Sequence, residues 1–185
     1  MKKIVLAVLL ASGLMAADSG VYVGVDIGDT AYDFKASAMG ISETDKGDGS
    51  SQTVKVGYYL DKNSRISAFL QNANATTEKE NLSVKTHIYG VGYDYLIGNN
   101  AFKPFVGAML GHGSSKADSI GVSLSGALYG VQAGANYAIN ENFSVEAGYR
   151  YMQSNMEDTI TVSGVVVKFE ADPIKNWFIG VNYKF

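Results

Sequence analysis

Apolar and polar side chains alternate along most of this chain with a period of two. The last nine residues show it most clearly. Trp177, Ile179, Val181, Tyr183 and Phe185 are large and apolar, and Phe178, Gly180, Asn182 and Lys184 fill the positions between them. Successive side chains of a β-strand point to opposite faces, so this stretch is predicted to be a strand with one greasy face and one mostly polar face. Seven earlier segments repeat the pattern. Val21, Val23, Val25 and Ile27 share one parity, as do Val54, Val56, Tyr58 and Leu60, then Ile66, Ala68 and Leu70. So do His87, Tyr89, Val91, Tyr93, Tyr95 and Ile97, followed by Phe102, Pro104, Val106, Ala108 and Leu110. Tyr129, Val131, Ala133, Ala135, Tyr137 and Ile139 form the sixth set, and Phe143, Val145, Ala147, Tyr149 and Tyr151 the seventh. The positions between them are rich in glycine and polar residues.

The connections between these segments are as informative as the segments. Three are short and polar, Asp61–Ser64, Gly98–Ala101 and Asn140–Asn142, and fit tight hairpin turns. The other four run roughly Thr30–Thr53, Asn72–Lys85, His112–Gly126 and Gln153–Asn176. Short and long alternate strictly, as they do in membrane barrels with short periplasmic turns and longer outer loops. Aromatic residues sort to the strand ends. Tyr58, Tyr93, Tyr95, Phe102, Tyr137, Phe143, Tyr183 and Phe185 fall near the short turns; His87, Tyr89, Tyr129, Tyr151 and Trp177 fall near the long connections. Valine, isoleucine and alanine lie between them, so two girdles flank an aliphatic band. The predicted fold is all-β: an eight-stranded antiparallel up-and-down transmembrane β-barrel. The even strand number places both strand termini on the periplasmic side.

Composition adds a compartment. Lys2 and Lys3, the apolar run Ile4–Ala11 with Leu14, and the small residues Ala16 and Ala17 read as a secretory signal peptide. The apolar run is too short to span a bilayer as a helix. The expected organisation is a signal peptide over 1–17 and a barrel over 18–185, about 168 residues and one domain. Removing Lys2 and Lys3 takes the formal charge from −3 to −5, which gives nucleic acid no basic face to bind. The chain has no cysteine, hence neither a lipidated cysteine nor a disulfide.

The inward parity carries a sparse set of charges: Asp26, Asp94 and Glu146 against Lys55, Arg65, Lys103, Arg150 and Lys184. Eight strands enclose an interior just wide enough for side chains to fill. A charge there must be paired or hydrated, so these eight residues are expected to form a polar network that plugs the lumen. Glu146 and Arg150 share a face but stand about 13 Å apart along their strand, and so are expected to pair across strands. The many inward glycines argue the other way, for room for water and a narrow pore.

At this point the chain resembles the small eight-stranded outer-membrane barrels, the opacity-protein and OmpX-like porin-family proteins and the transmembrane domain of OmpA. The resemblance rests on Gly20-Val21-Tyr22-Val23-Gly24, Lys103-Pro104-Phe105-Val106-Gly107-Ala108, Glu146-Ala147-Gly148-Tyr149-Arg150-Tyr151 and Gly180-Val181-Asn182-Tyr183-Lys184-Phe185. It covers essentially the whole expected mature chain. It implies partners in the outer-membrane lipids and in the barrel-assembly machinery, which reads a terminal aromatic strand, here Trp177, Tyr183 and Phe185. OmpA carries a further peptidoglycan-binding domain, and that role is not expected here.

Signals for enzyme chemistry are weak, and no cofactor is expected. His112-Gly113-Ser114 resembles part of the lipid A deacylase set, but no acidic partner follows at the comparable distance. His87 reads as an interfacial side chain. Asp45 and Asp48 lie among glycines without the order of an EF-hand, and read as part of a solvated loop. The first long connection, Ala31–Gln52, reads as mobile. In the last, Thr159–Phe169 is apolar enough to form a hairpin tip above strands seven and eight. The expected function is non-enzymatic: a monomeric outer-membrane protein with a structural, surface role in envelope integrity, whose loops are available for adhesion or for binding host or extracellular ligands, with a narrow pore for small solutes as the alternative and a lipid A-modifying enzyme as a distant third.

Overall fold

The computed structural model describes residues 19–38, 41–77, 83–117, 122–155, 157–162, 165–171 and 173–185. The expected signal peptide, residues 1–17, lies outside the described residues. Ten strands follow in chain order: β1 Gly20–Ala38, β2 Ile41–Tyr59, β3 Ser64–Thr77, β4 Ser83–Leu96, β5 Phe102–Ala117, β6 Val122–Ala138, β7 Phe143–Ser154, β8 Glu157–Val162, β9 Val165–Ala171 and β10 Ile174–Lys184. Every pairing is antiparallel. The wall is β1 to β7 followed by β10, and β10 pairs back onto β1 from Tyr22↔Lys184 to Ala31↔Lys175, which closes the barrel. The remaining hairpin, β8–β9, stands on the outer end and continues the line of β7 and β10.

The three short connections are tight turns, as their composition predicts. In the first, Leu60 N–H donates to Ser64 O at 2.9 Å, and Asn63 N–H donates to the Asp61 carboxylate at 2.6 Å. That backbone donor holds the exposed Asp61 carboxyl below its ordinary value. The second turn carries Gly98 at φ +98°, in the left-handed region that side chains disfavour.

The long connections are largely strand, which corrects the expectation of loops. β1 and β2 are each 19 residues long, about 63 Å and nearly twice what a tilted strand needs to cross a bilayer. Their ladder runs unbroken from Gly20↔Tyr59 to Ala38↔Ile41, so Asp45 and Asp48 lie on a strand. The last connection forms the predicted hairpin. Its ladder is offset: between Ala31↔Lys175 and Phe34↔Ala171 the strand opposite β1 uses one residue more than β1 does. The extra residue falls beside Pro173, which has no N–H to donate.

Outward residues of the predicted parity are exposed or half-buried, except Val21 at the start of β1, which is buried. Ile27 and Leu110 are each 63% exposed and Ile179 is 59% exposed, on the outside of a closed barrel. A continuous belt of exposed aliphatic side chains is stable where its solvent is hydrocarbon. Rings bound the belt. At the turn end Phe143, Tyr183 and Phe185 meet edge to face in series at centroid distances of 4.9 and 5.0 Å; at the loop end Tyr149 lies 4.7 Å from Trp177.

Candidate functional site

The inward residues divide the interior into three levels. At the turn end is an open vestibule of about 210 Å³, lined among others by Tyr59, Lys103, Asn136, Ser144 and Lys184. Lys103 Nζ donates to Lys62 O at 2.6 Å, and Lys184 Nζ lies 5.5 Å from the centre of the Tyr59 ring. These two lysines of the expected network therefore sit at the rim.

The other six meet at the next level, in a closed ring of ion pairs and hydrogen bonds. Asp94 on β4 accepts from Arg65 Nε on β3 at 2.9 Å. Arg65 Nη2 reaches Glu146 Oε2 on β7 at 2.9 Å, and Lys55 Nζ on β2 donates to Glu146 Oε1. Lys55 also donates to Asp26 Oδ1 on β1 at 2.8 Å, and Asp26 Oδ2 accepts from Arg150 Nη2 at 2.5 Å. Arg150 Nε donates to Gln132 Oε1 on β6 at 2.9 Å, and Gln132 Nε2 returns to Asp94 Oδ1. Glu146 and Arg150 do pair across the barrel and not with each other. Three carboxylates oppose three cations, so the ring is neutral. Asn182 Nδ2 on β10 adds a bond to Glu146 Oε2 at 2.9 Å, and Arg150 Nη1 one to Thr53 Oγ1 at 3.2 Å. Gln132 and Asn182 are the members that a search for charges alone passes over; their inward parity and polarity were the available signal.

Aromatic faces and glycines make this packing possible. The Arg150 guanidinium lies 3.9 Å from the Phe178 ring centre, and that of Arg65 lies 5.5 Å from Tyr22 and 5.3 Å from Phe105. A Cβ added at Gly180 would stand 2.1 Å from Asp26 Oδ1, and one at Gly107 equally close to Asp94 Oδ1. The inward glycines thus make room for charged side chains, and this replaces the expectation that they leave room for water. The ring is buried throughout: Arg65 is 1% exposed and Glu146 3%. Desolvating such charges costs several kcal/mol each, offset only because each one is paired.

Beyond the ring, toward the outer end, buried apolar side chains take over on part of the wall, beside the buried polar Thr30, Ser51, Gln71, Thr86, Ser115 and Asn176. Tyr32, Phe69, Ala73, Ala75, Ile88, Met109, Leu124, Leu128, Met152 and Ile174 form one buried cluster. The gap among Phe69, Ile88, Met109, Leu128 and Met152 has about 0 Å³ for water. Half of this layer comes from stretches expected to be loops. Among the described residues, the polar ring and the apolar cluster thus fill successive levels of the lumen.

No contact joins His112 and Ser114 to a carboxylate among the described residues. His112 faces outward, its ring 5.6 Å from that of Tyr89. His87 is also exposed, its Nδ1 2.6 Å from Asn72 Oδ1. No group of three or more His, Cys, Asp or Glu that could hold a metal occurs among the described residues.

Comparison with known proteins places this architecture. A family model described as outer membrane protein beta-barrel domain matches residues 4–185. Among solved structures, the chain is similar to Neisserial surface protein A, with 24% identity, a TM-score of 0.59, and coverage of 90% of this chain and 99% of that one. It is similar to OprG from Pseudomonas aeruginosa, with 16% identity, a TM-score of 0.65, and coverage of 91% and 97%. OprH from P. aeruginosa matches at 22% identity and a TM-score of 0.51, over 90% and 99% of the two chains. No curated protein sequence matches the chain.

Proposed function

The chain belongs to the outer membrane protein beta-barrel domain family, and from that premise we propose that it is a non-enzymatic surface protein whose outer strands bind host or extracellular ligands. Its place is the bacterial outer membrane, with membrane lipid around the belt. The observation that carries the reading is the contrast between a closed lumen and a long outer ribbon. Among the described residues the ring and the apolar cluster fill the lumen, which favours this reading over the alternative of a narrow pore. Among the described residues the ribbon offers unpaired backbone instead. Residues 41–46 of β2 pair with β1 but have no β3 partner among the described pairs. β8 meets β6 at one pair, Ser125↔Glu157. Such edges accept an extended strand from another protein. The edge of β2 carries Glu43, Asp45 and Lys46, charges of the kind that guard an edge; Thr159–Val162 of β8 carries none. The β8 edge is the binding edge in this proposal.

The proposal includes export with residues 1–17 removed, a monomeric barrel, and Trp177, Tyr183 and Phe185 as the strand read during assembly. One experiment addresses these together. Residues 157–171 are replaced by a short turn, and cells carrying either form are tested on immobilised extracellular-matrix proteins and host cells. The shortened chain keeps β10 and is expected to assemble; its intact mass reports the removed leader. Binding is expected to fall at least tenfold. Equal binding by the two forms would move the site away from β8–β9, and failure of the shortened form to insert would contradict the assembly reading.

A further inference from the structure

The lipid-facing belt is uneven. On β2 to β5 its surface sinks into a depression of about 760 Å³. Two cross-strand rows make it. Val56, Ala68, Val91 and Leu110 are in register in one, and Tyr58, Ile66, Tyr93 and Ala108 in the row nearer the turns. Ala68 and Ala108 carry a single methyl group among larger neighbours, so each leaves a gap in its row. Gly57, Ser67 and Gly92 lie between the rows with inward parity, yet all three are only half-buried and line the depression. The backbone of β2, β3 and β4 is thus part of the floor. Val56, Leu110 and the rings of Tyr58 and Tyr93 stand around it.

Its depth in the membrane matters. Ile66 stands two residues above the start of β3, and Leu70, 63% exposed, closes the other end. From Ile66 to Leu70 is about 13 Å along the strand and about 10 Å along the normal at the usual tilt. That span fits the turn-end half of a hydrocarbon core about 30 Å thick. Three strand spacings make the depression about 14 Å wide, room for more than one hydrocarbon chain. The Tyr93 hydroxyl donates to Ser64 Oγ at 3.3 Å, which holds that ring at the turn-end rim. Apart from the two phenols and Ser67 the lining side chains are hydrocarbon. A gap of this size forfeits dispersion contacts unless something enters it, and its volume is that of a ligand site. It is continuous with the belt that membrane lipid covers, so acyl chains reach it without leaving hydrocarbon.

We propose that this depression seats one phospholipid of the periplasmic leaflet, with its acyl chains over Ala68 and Ala108 and its ester groups at the level of the Tyr58 and Tyr93 hydroxyls. That lipid exchanges more slowly than lipid elsewhere around the belt. The site lies at the other end of the wall from the β8–β9 edge, and a barrel without that hairpin keeps it.

The test uses the full mature protein in vesicles of palmitoyl-oleoyl phosphatidylethanolamine and phosphatidylglycerol, transferred to maltoside micelles and read by native mass spectrometry. The wild type is expected to retain a single phospholipid. The variant Ala68→Leu/Ala108→Leu fills both gaps and is expected to retain it at least tenfold less, with a smaller loss for either change alone. The variant Ala133→Leu/Ala147→Leu adds the same bulk at exposed positions of β6 and β7 outside the depression, and is expected to retain the lipid as the wild type does. Heat-modifiable gel migration reports that each variant is folded, and the single changes decide if the double one is not. A wild type that retains no lipid would overturn the proposal, as would undiminished retention by the filled variants or an equal loss in the β6–β7 variant. A dimer mass that the filled variants lose would also overturn it, by assigning the depression to a second copy of the chain.

Discussion

Glu146→Gln is expected to lower the stability of the folded barrel by about 3–5 kcal/mol, the usual cost of removing one partner from a buried ion pair. The carboxylate takes Arg65, Lys55 and Asn182 at once. Glutamine keeps the shape but presents one oxygen where there were two, and its NH2 group faces donors. The ring is left with one uncompensated positive charge among side chains that are buried from solvent. Asp26 and Asp94 still hold Lys55 and Arg65, which keeps the effect within that range. Urea unfolding from lipid vesicles reads the result: the midpoint falls and the slope stays constant. A loss below about 1 kcal/mol would place the ring in contact with water, as for an exposed pair.

Ile179→Arg is expected to cost about 2–4 kcal/mol in a bilayer, because it puts a cation near the midplane on the lipid face. Ile179 is flanked across strands by Ile27 and Ala147, and along its own strand by Trp177 and Val181, so no carboxylate adjoins it. The same change at Tyr183, in the turn-end girdle, is expected to cost about 0–1 kcal/mol. The difference between the two sites, measured by unfolding from vesicles, is the signature of depth in a membrane. Equal costs would mean that this face meets water.

The lipid-facing parity was legible because one rule governs every strand: the apolar partner is outside. Trp177, Ile179, Val181 and Phe185 keep that parity in the barrel, and Asp26, Lys55, Arg65, Asp94, Glu146 and Arg150 keep the opposite one. Who pairs with whom was not legible. Lys55 and Glu146 are 91 residues apart and meet only because β10 closes on β1, a fact of register that no local pattern contains. The strand ends were misread for a related reason. Outside the bilayer the alternation inverts, so that Leu70 faces out while Ala73 and Ala75 face in, and Tyr89 faces out while Ile88 and Val84 face in. A search for outward apolar residues therefore stops at the membrane boundary and takes the rest for loop. The inversion itself marks that boundary, and with it the apolar layer that closes the lumen.

The central claim is a membrane barrel with a sealed interior, and conductance in planar bilayers tests it most directly. The purified protein, inserted in known orientation, is expected to leave the current at the lipid baseline across the physiological voltage range. Discrete, reproducible openings from the wild-type barrel would contradict the seal formed by the ring and the apolar layer, and would return the lumen to the path of solutes.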